Sequence, residues 1–199
     1  MSQAYTSQSL LLETIKIEEG MVANLPYHQD RCDQSRQTLF QSTDRLDLAS
    51  IIQPPQTGLY RCRILYGEKV HSIEYISYVP KEINSLKIVP SKIDYALKYA
   101  NRDALNTLLE SNKEVDEVII EKKGYLTDIT IANIAFYDGN QWVTPENPLL
   151  KGTMRAKLID EGFLQTREIR KEDLDHYTQV ALINAMLGFK ILNHFNIHY

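Results

Sequence analysis

The stretch from Val115 to Thr144 leaves a chain little freedom in how it folds. Val115–Glu121, Tyr125–Asp128, Thr130–Tyr137 and Gln141–Thr144 are short runs rich in β-branched, aromatic or other apolar residues. Lys123-Gly124 and Asp138-Gly139 punctuate them, and such dipeptides supply the left-handed backbone a tight turn needs. Runs this short, joined by turns this tight, predict consecutive antiparallel strands. The first third predicts strands around one helix. Ser9–Glu19 is rich in Leu, Ile and Thr, and Glu18-Glu19-Gly20 predicts a hairpin turn into Met21–Leu25. Tyr27–Phe40 is polar, free of glycine and preceded by Pro26, which suits a helix start. Pro54 and Pro55 break the chain, Gly58–Tyr66 alternates as a strand, and Gly67 leads into a second strand, His71–Val79.

Two prolines then bracket Lys81–Val89, which predicts a connection between domains. Beyond it, Lys92–Glu110 carries leucines and alanines at helical spacing, and Gly152 opens a helix to Glu161 that Gly162 closes. A last helix is expected from Thr178 or Ala181. Strands and helices mix without a regular βαβ rhythm, so the expected class is α+β. Two small domains, 1–80 and 91–199, are expected to be joined by residues 81–90.

The net charge of −4 gives no electrostatic reason to expect nucleic acid or an anionic membrane as a partner. No run approaches the roughly 20 apolar residues of a spanning helix, and the first twenty residues lack the basic flank and cleavage site of a leader. Cys32 and Cys62 are too few for a disulfide framework. These features predict a soluble, cytoplasmic protein. His194 and His198 have no partners at metal-ligand spacing, so no metal is expected.

Several residues could carry chemistry. Lys98 lies between Leu97 and Tyr99, with Ala96 and Ala100 beyond, a less polar setting than an exposed helix face. Apolar surroundings disfavour the charged amine and so favour a nucleophile. Gly152-Thr153-Met154 stands at a helix start, where backbone N–H groups can receive an anion. Arg61 and Arg63 are two apart on an expected strand and so share a face, and Tyr66 is expected to line the same pocket. Exposed cross-strand pairing is the alternative reading of both arginines.

The order of motifs is more specific. Leu126-Thr127-Asp128 is followed by Asn133-Ile134, then Thr144-Pro145, then Pro148-Leu149-Leu150-Lys151-Gly152 and Arg155. This run resembles the signature region of class IV aminotransferases, a family that includes branched-chain and D-amino acid aminotransferases and aminodeoxychorismate lyase. The resemblance implies two small domains of the D-amino acid aminotransferase-like type with pyridoxal 5'-phosphate between them, in a homodimer. It implies that Lys98, thirty residues before Asp128, is the lysine that carries the cofactor. Asp128 takes the place of the acid, usually glutamate, that pairs with the pyridine nitrogen, with Asn133 at its matching spacing. Gly152, Thr153 and Met154 are expected at the phosphate. Arg31 is expected to bring charge to it, with Arg36 as the alternative, and Asn184 is a further candidate contact. One of Arg61 and Arg63 is expected to bind a substrate carboxylate. The expected reaction moves an amino group between a small amino acid and a 2-oxo acid. Gly-Thr-Met-Arg and Asn-Ala-Met resemble the lyases instead, which would release pyruvate and 4-aminobenzoate, and a non-catalytic member that keeps the fold is the third reading.

Overall fold

The computed structural model describes residues 10–199; Ser9, where the first strand was expected to begin, lies outside them. The chain forms two compact units. The first comprises the residues up to Pro80 together with Leu97–Asn101, and the second Lys81–Ala96 with Arg102–Tyr199.

In the first unit, β1 (Leu11–Glu18), β2 (Met21–Val22), β3 (Leu59–Tyr66) and β4 (Val70–Ser77) form an antiparallel sheet in the order β2-β1-β3-β4. Glu19 (φ 48°) and Gly20 (φ 78°) turn β1 into β2. The full length of β1 pairs with β3, from Leu11 opposite Tyr66 to Glu18 opposite Leu59. Helix α1 (Leu25–Phe40) begins with Pro26 in its first turn, and a short α2 (Leu48–Ile51) follows. Leu11, Ile15, Ile17, Cys32, Cys62, Ile64 and Tyr66 form the core under α1. The buried stripe of α1 is nevertheless polar: His28, Gln29, Cys32, Ser35 and Arg36. A helix with so few apolar side chains is held by hydrogen bonds made in shelter. Gln29 donates to the Leu46 carbonyl and accepts from the Leu48 N–H, each at 2.9 Å.

The second unit is built on β5 (Ser85–Pro90), α3 (Asp103–Glu110), β6 (Glu117–Lys122), β7 (Tyr125–Ile129), β8 (Asn133–Tyr137), β9 (Trp142–Pro145), α4 (Thr153–Asp160), β10 (Leu164–Arg167), β11 (Gln179–Asn184), β12 (Gly188–Ile191) and β13 (Asn196–His198). A 3-10 turn spans Lys171–His176. The sheet runs β10-β9-β8-β7-β6-β5-β13, and β11 joins β8 to β12. β5 and β6 are parallel, as are β9 and β10. Ile88, Ile119, Leu126, Ile134, Phe136, Val143 and Leu182 are among the residues of its core.

Three expectations change here. Residues 81–90 are not merely a connection, because they contain β5, paired with β6 and β13. The expected final helix is a β-hairpin: Gln179–Asn184 pairs antiparallel with both β8 and β12. Its side chains Val180–Ile183 are all buried, and a strand covered on both faces reads as one continuous apolar run. Third, the helix expected from Lys92 to Glu110 begins only at Asp103, which releases the segment around Lys98 to do something else.

Candidate active site

Lys98 lies in an extended segment of the first unit. The Leu12 N–H donates to the Lys98 carbonyl at 2.9 Å, and the Ala100 N–H to the Leu10 carbonyl at 2.8 Å. Leu11 and Tyr99 face each other as an antiparallel bridge. Leu97 and Tyr99 pack into the core under α1. Side chains alternate along extended backbone, so Lys98 belongs to the other face of the sheet, which it shares with Leu12, Thr14 and Lys16 on β1.

Glu13, on the α1 side, is completely buried. It accepts from Arg31 Nε at 2.9 Å and from Arg31 Nη2 at 2.6 Å, and it bonds His28 Nδ1 at 2.6 Å. Burial alone would raise its carboxyl, but the Arg31 charge and the His28 and Arg31 bonds outweigh that and hold it at about 2. His28 is pushed down by burial, against the pull of Glu13, and the Arg31 and Lys98 charges push it further. It is therefore the neutral ring, and with Glu13 ionised it is its Nδ1 that carries the proton toward the carboxylate. Glu13 thus sets the plane of the Arg31 guanidinium through a two-point grip.

Arg36, the alternative to Arg31, is committed elsewhere. Nearly all of it is buried, and it donates to the Gly67, Asp44 and Glu68 carbonyls and to the Asp44 carboxylate. Tyr66 does not share a face with Arg61 and Arg63. It lies on the core side with Cys62 and Ile64, where its hydroxyl is hydrogen-bonded with the Cys32 thiol and burial raises it far above the usual phenol range. The reason is parity: residue 66 is an odd number of places from 61 and 63. Arg63 pairs with Glu74 at 2.9 Å, while Arg61 Nε is buried with no partner among the described residues.

The second unit holds the other predicted group. Asp128 on β7 faces Asn133 on β8, and both are buried. Asn133 Nδ2 donates to Asp128 Oδ1 and to the Leu150 carbonyl, each at 2.8 Å, and the Leu150 N–H donates to Asp128 Oδ2 at 2.8 Å. Burial raises the Asp128 carboxyl to about 7, against the lowering effects of Asn133, the Leu150 and Leu149 amides and the Arg155 charge. A carboxylate has about four acceptor positions, so these three donors leave room for one more. Asn133 also explains Gly152, since a Cβ at residue 152 would collide with the Asn133 amide oxygen. Gly152 caps α4, and Thr153, Met154 and Arg155 form its first turn, so the positive end of the helix dipole falls there. Arg155 is buried beside Asp128; its Nη2 donates to the Pro145 carbonyl at 2.9 Å, and its Nε has no partner among the described residues. The Asn184 side chain instead organises its own turn, accepting from the Met186 and Leu187 N–H groups and donating to the Ile131 carbonyl.

Glu13 and His28 were missed by the sequence reading. His28, Arg31, Cys32 and Ser35 stand at the i, i+3, i+4, i+7 spacing of one helix face, which was the available signal for His28. Nothing local marks Glu13.

The model of the family described as "Amino-transferase class IV" matches residues 87–192. This chain belongs to that family. An uncharacterized protein of Haemophilus influenzae is 38% identical to this class IV aminotransferase family member over 184 residues, 89% of this chain and 98% of its own. A crystal structure from Haemophilus somnus, described as a "putative 4-amino-4-deoxychorismate lyase", is 40% identical with a TM-score of 0.84, covering 91% of this chain and 98% of that one. A hypothetical aminotransferase of Mycobacterium tuberculosis, solved in its PLP-bound form, shares the fold at 15% identity with a TM-score of 0.76, covering 98% of this chain and 86% of that one.

Proposed function

We propose that this chain is a pyridoxal-phosphate-dependent enzyme that moves an amino group between a small amino acid and a 2-oxo acid. The observation that carries the reading is Asp128: a buried carboxyl raised to about 7, with one acceptor position left for a further donor. A nitrogen that gains a proton fits that position, because the ion pair relieves the cost of a buried charge. Lys98 and Arg31 in the first unit are residue types suited to an aldehyde and a phosphate, and within the second unit the α4 N-terminus at Gly152–Met154 suits an anion.

Bound pyridoxal phosphate supplies a ring that accepts the electrons left behind when the substrate loses its α-proton. Asp128, once ionised, keeps the ring nitrogen protonated, and Asn133 and the Leu150 N–H keep the carboxylate in one orientation. Lys98 would provide the amine that holds the cofactor and would be the group that takes and returns the α-proton. Glu13 fixes the orientation of the Arg31 guanidinium. Amino-group transfer asks nothing more of these residues than proton movement. The lyase reading is favoured by the 40% identity to the Haemophilus somnus protein, but it also needs a group to protonate the ether oxygen of the departing pyruvate. A homodimer in the cytoplasm belongs to the same proposal. For the compartment, the support is that Cys32 and Cys62 are buried free thiols; no helix among the described residues is long and apolar enough to cross a membrane.

Purified protein mixed with pyridoxal phosphate should develop a visible absorbance band that Lys98→Ala lacks, with turnover reduced at least about 1,000-fold. A panel of amino donors scored for 2-oxo acids, beside an aminodeoxychorismate assay scored for pyruvate, separates the two reactions. Wild-type protein without the band, or Lys98→Ala with wild-type turnover, would overturn the reading.

A further inference from the structure

Arg155 is placed where elementary electrostatics least favours a cation. It is the third residue of α4, after Gly152 caps the helix and Thr153 and Met154 open it. Its charge therefore lies against the positive end of the helix dipole. Only 6% of it is exposed, so it has given up the water that a guanidinium keeps at a surface. Its Nη2 donates to a neutral acceptor, the Pro145 carbonyl, and its Nε has no partner among the described residues. Leaving the N–H of a buried cation unmatched costs free energy again. An apolar side chain of similar length would carry none of these costs. Asp128 is the one charge that Arg155 feels, and it feels it through space.

What offsets these costs is found at Asp128. β8 brings it the Asn133 amide, and the segment before α4 brings the Leu150 N–H; both are dipoles without net charge. Only α4 brings a cation. Other charges on the elements around Asp128 are engaged or stand further along their strand. Glu117 on β6 accepts from Thr130 and Lys81, Lys157 on α4 pairs with Glu161 at 3.0 Å, and half-buried Glu121 stands opposite Leu126. Burial disfavours the ionised Asp128 carboxyl, and the Arg155 charge favours it. While Asp128 is protonated, Arg155 is a burden; once Asp128 ionises, Arg155 is its counter-charge. A guanidinium grip of the kind Arg31 has on Glu13 would fill the open acceptor position of the carboxylate, and a cation acting through space does not. We infer that Arg155 is a positioning residue that acts through Asp128: it keeps the buried carboxyl able to ionise while leaving an acceptor position for the ring nitrogen. That nitrogen rests on the pyridoxal-phosphate reading above; the coupling of Arg155 to Asp128 does not.

Cofactor-free protein tests the coupling. The Asp128 titration is followed in the pH dependence of urea stability and in the carboxyl NMR resonance of isotope-labelled aspartate that Asp128→Asn removes. In Arg155→Met, Asp128 should hold its proton about 10-fold more tightly, whereas Arg155→Lys, which keeps the charge, should change that affinity less than about 3-fold. A tighter proton in the folded chain means a stability loss that runs on to higher pH. The curves of wild type and Arg155→Met should therefore draw together below about pH 5 and separate as pH rises through neutrality, with the variant the less stable. In an Asp128→Asn background, Arg155→Met should shift the curve by the same amount at every pH. An arginine that only packs would give parallel curves in both backgrounds, and that result, or an unmoved Asp128 resonance, would overturn the inference. An Arg155→Met protein that does not fold at about pH 5 overturns it too, because there the arginine is a burden. The visible band formed with pyridoxal phosphate reads the cofactor separately. Its absence from wild type, with Asp128 still coupled to Arg155, would sink the cofactor reading and keep the coupling; its presence with the two uncoupled would do the reverse.

Discussion

Glu13 in the first unit and Asp128 in the second are both carboxyl groups hidden from water, yet they sit at opposite ends of the carboxylate range. Glu13 lies at about 2 and Asp128 at about 7. Burial acts on both in the same upward direction. The difference is the donor: Glu13 is gripped by a guanidinium at two points, whereas Asp128 is bonded by an amide and backbone N–H groups and feels Arg155 only through space. Dipoles alone do not repay the loss of water around a charge, but a cation in contact does. Glu13 is thus a finished interaction that holds other side chains in place. Asp128 is an unfinished one, and that suits it to a ligand that brings the missing charge.

The contrast can be broken most forcefully at Glu13. Glu13→Gln leaves the half-buried Arg31 without its counter-ion and a neutral amide in a fully buried place built for a carboxylate, so unfolding in urea should show a loss of about 3–5 kcal/mol. A loss below about 1 kcal/mol would mean that the grip on Arg31 contributes nothing to stability.

Asp128 should act on stability with the opposite sign of pH dependence. Its folded value is raised from 3.8 to about 7, so between those values the folded chain holds a proton that the unfolded chain has released. Stability without cofactor should therefore fall by up to about 4 kcal/mol as pH rises from about 4 to 7. Asp128→Asn should abolish that decline. An unchanged slope in the variant would place the titration elsewhere.

Glu13 works from the other direction. Its folded value is lowered from 4.5 to about 2, so its contribution, about 3 kcal/mol, is present above pH 4.5 and is lost as pH falls toward 2. The acid limb of the urea stability curve should carry this loss, and Glu13→Gln should flatten it.

The smallest expected effect sharpens the comparison at Asn133. Asn133→Ala removes the amide donor from Asp128 and from the Leu150 carbonyl, at a cost of about 1–2 kcal/mol. It should also move the Asp128 titration upward, visible as a decline in stability that continues above pH 7. A downward move would show that Asn133 does not stabilise the ionised form.

Much of the second unit was legible because its signals are local. Lys123-Gly124 turns where a tight hairpin was expected, with both residues at positive φ, and Gly152 caps a helix as read. The Asp128, Asn133 and Gly152 pattern was legible too, since those residues lie close in sequence and a β-turn-β unit brings them together. The conformation of the segment around Lys98 was not legible. Its helical spacing was real, but competing hydrogen bonds to β1 drew it into extended backbone. Asp44, Gly67 and Glu68 take Arg36, which no local signal marks, and the expected place of Tyr66 failed on strand parity.

By itself the sequence determined the mixed strand-and-helix class, the turns, the starts of α1 and α4 and the family, because each rests on nearest neighbours or on an ordered motif. Only the tertiary structure decided that Gln179–Asn184 is a strand, since its pairing partner β8 lies more than forty residues earlier. Only the tertiary structure, too, brought Glu13 to Arg31, eighteen residues away, and left Arg61 Nε sheltered without a partner among the described residues. Such outcomes depend on which groups meet and which lose water, and those are properties of the packed chain rather than of any segment within it.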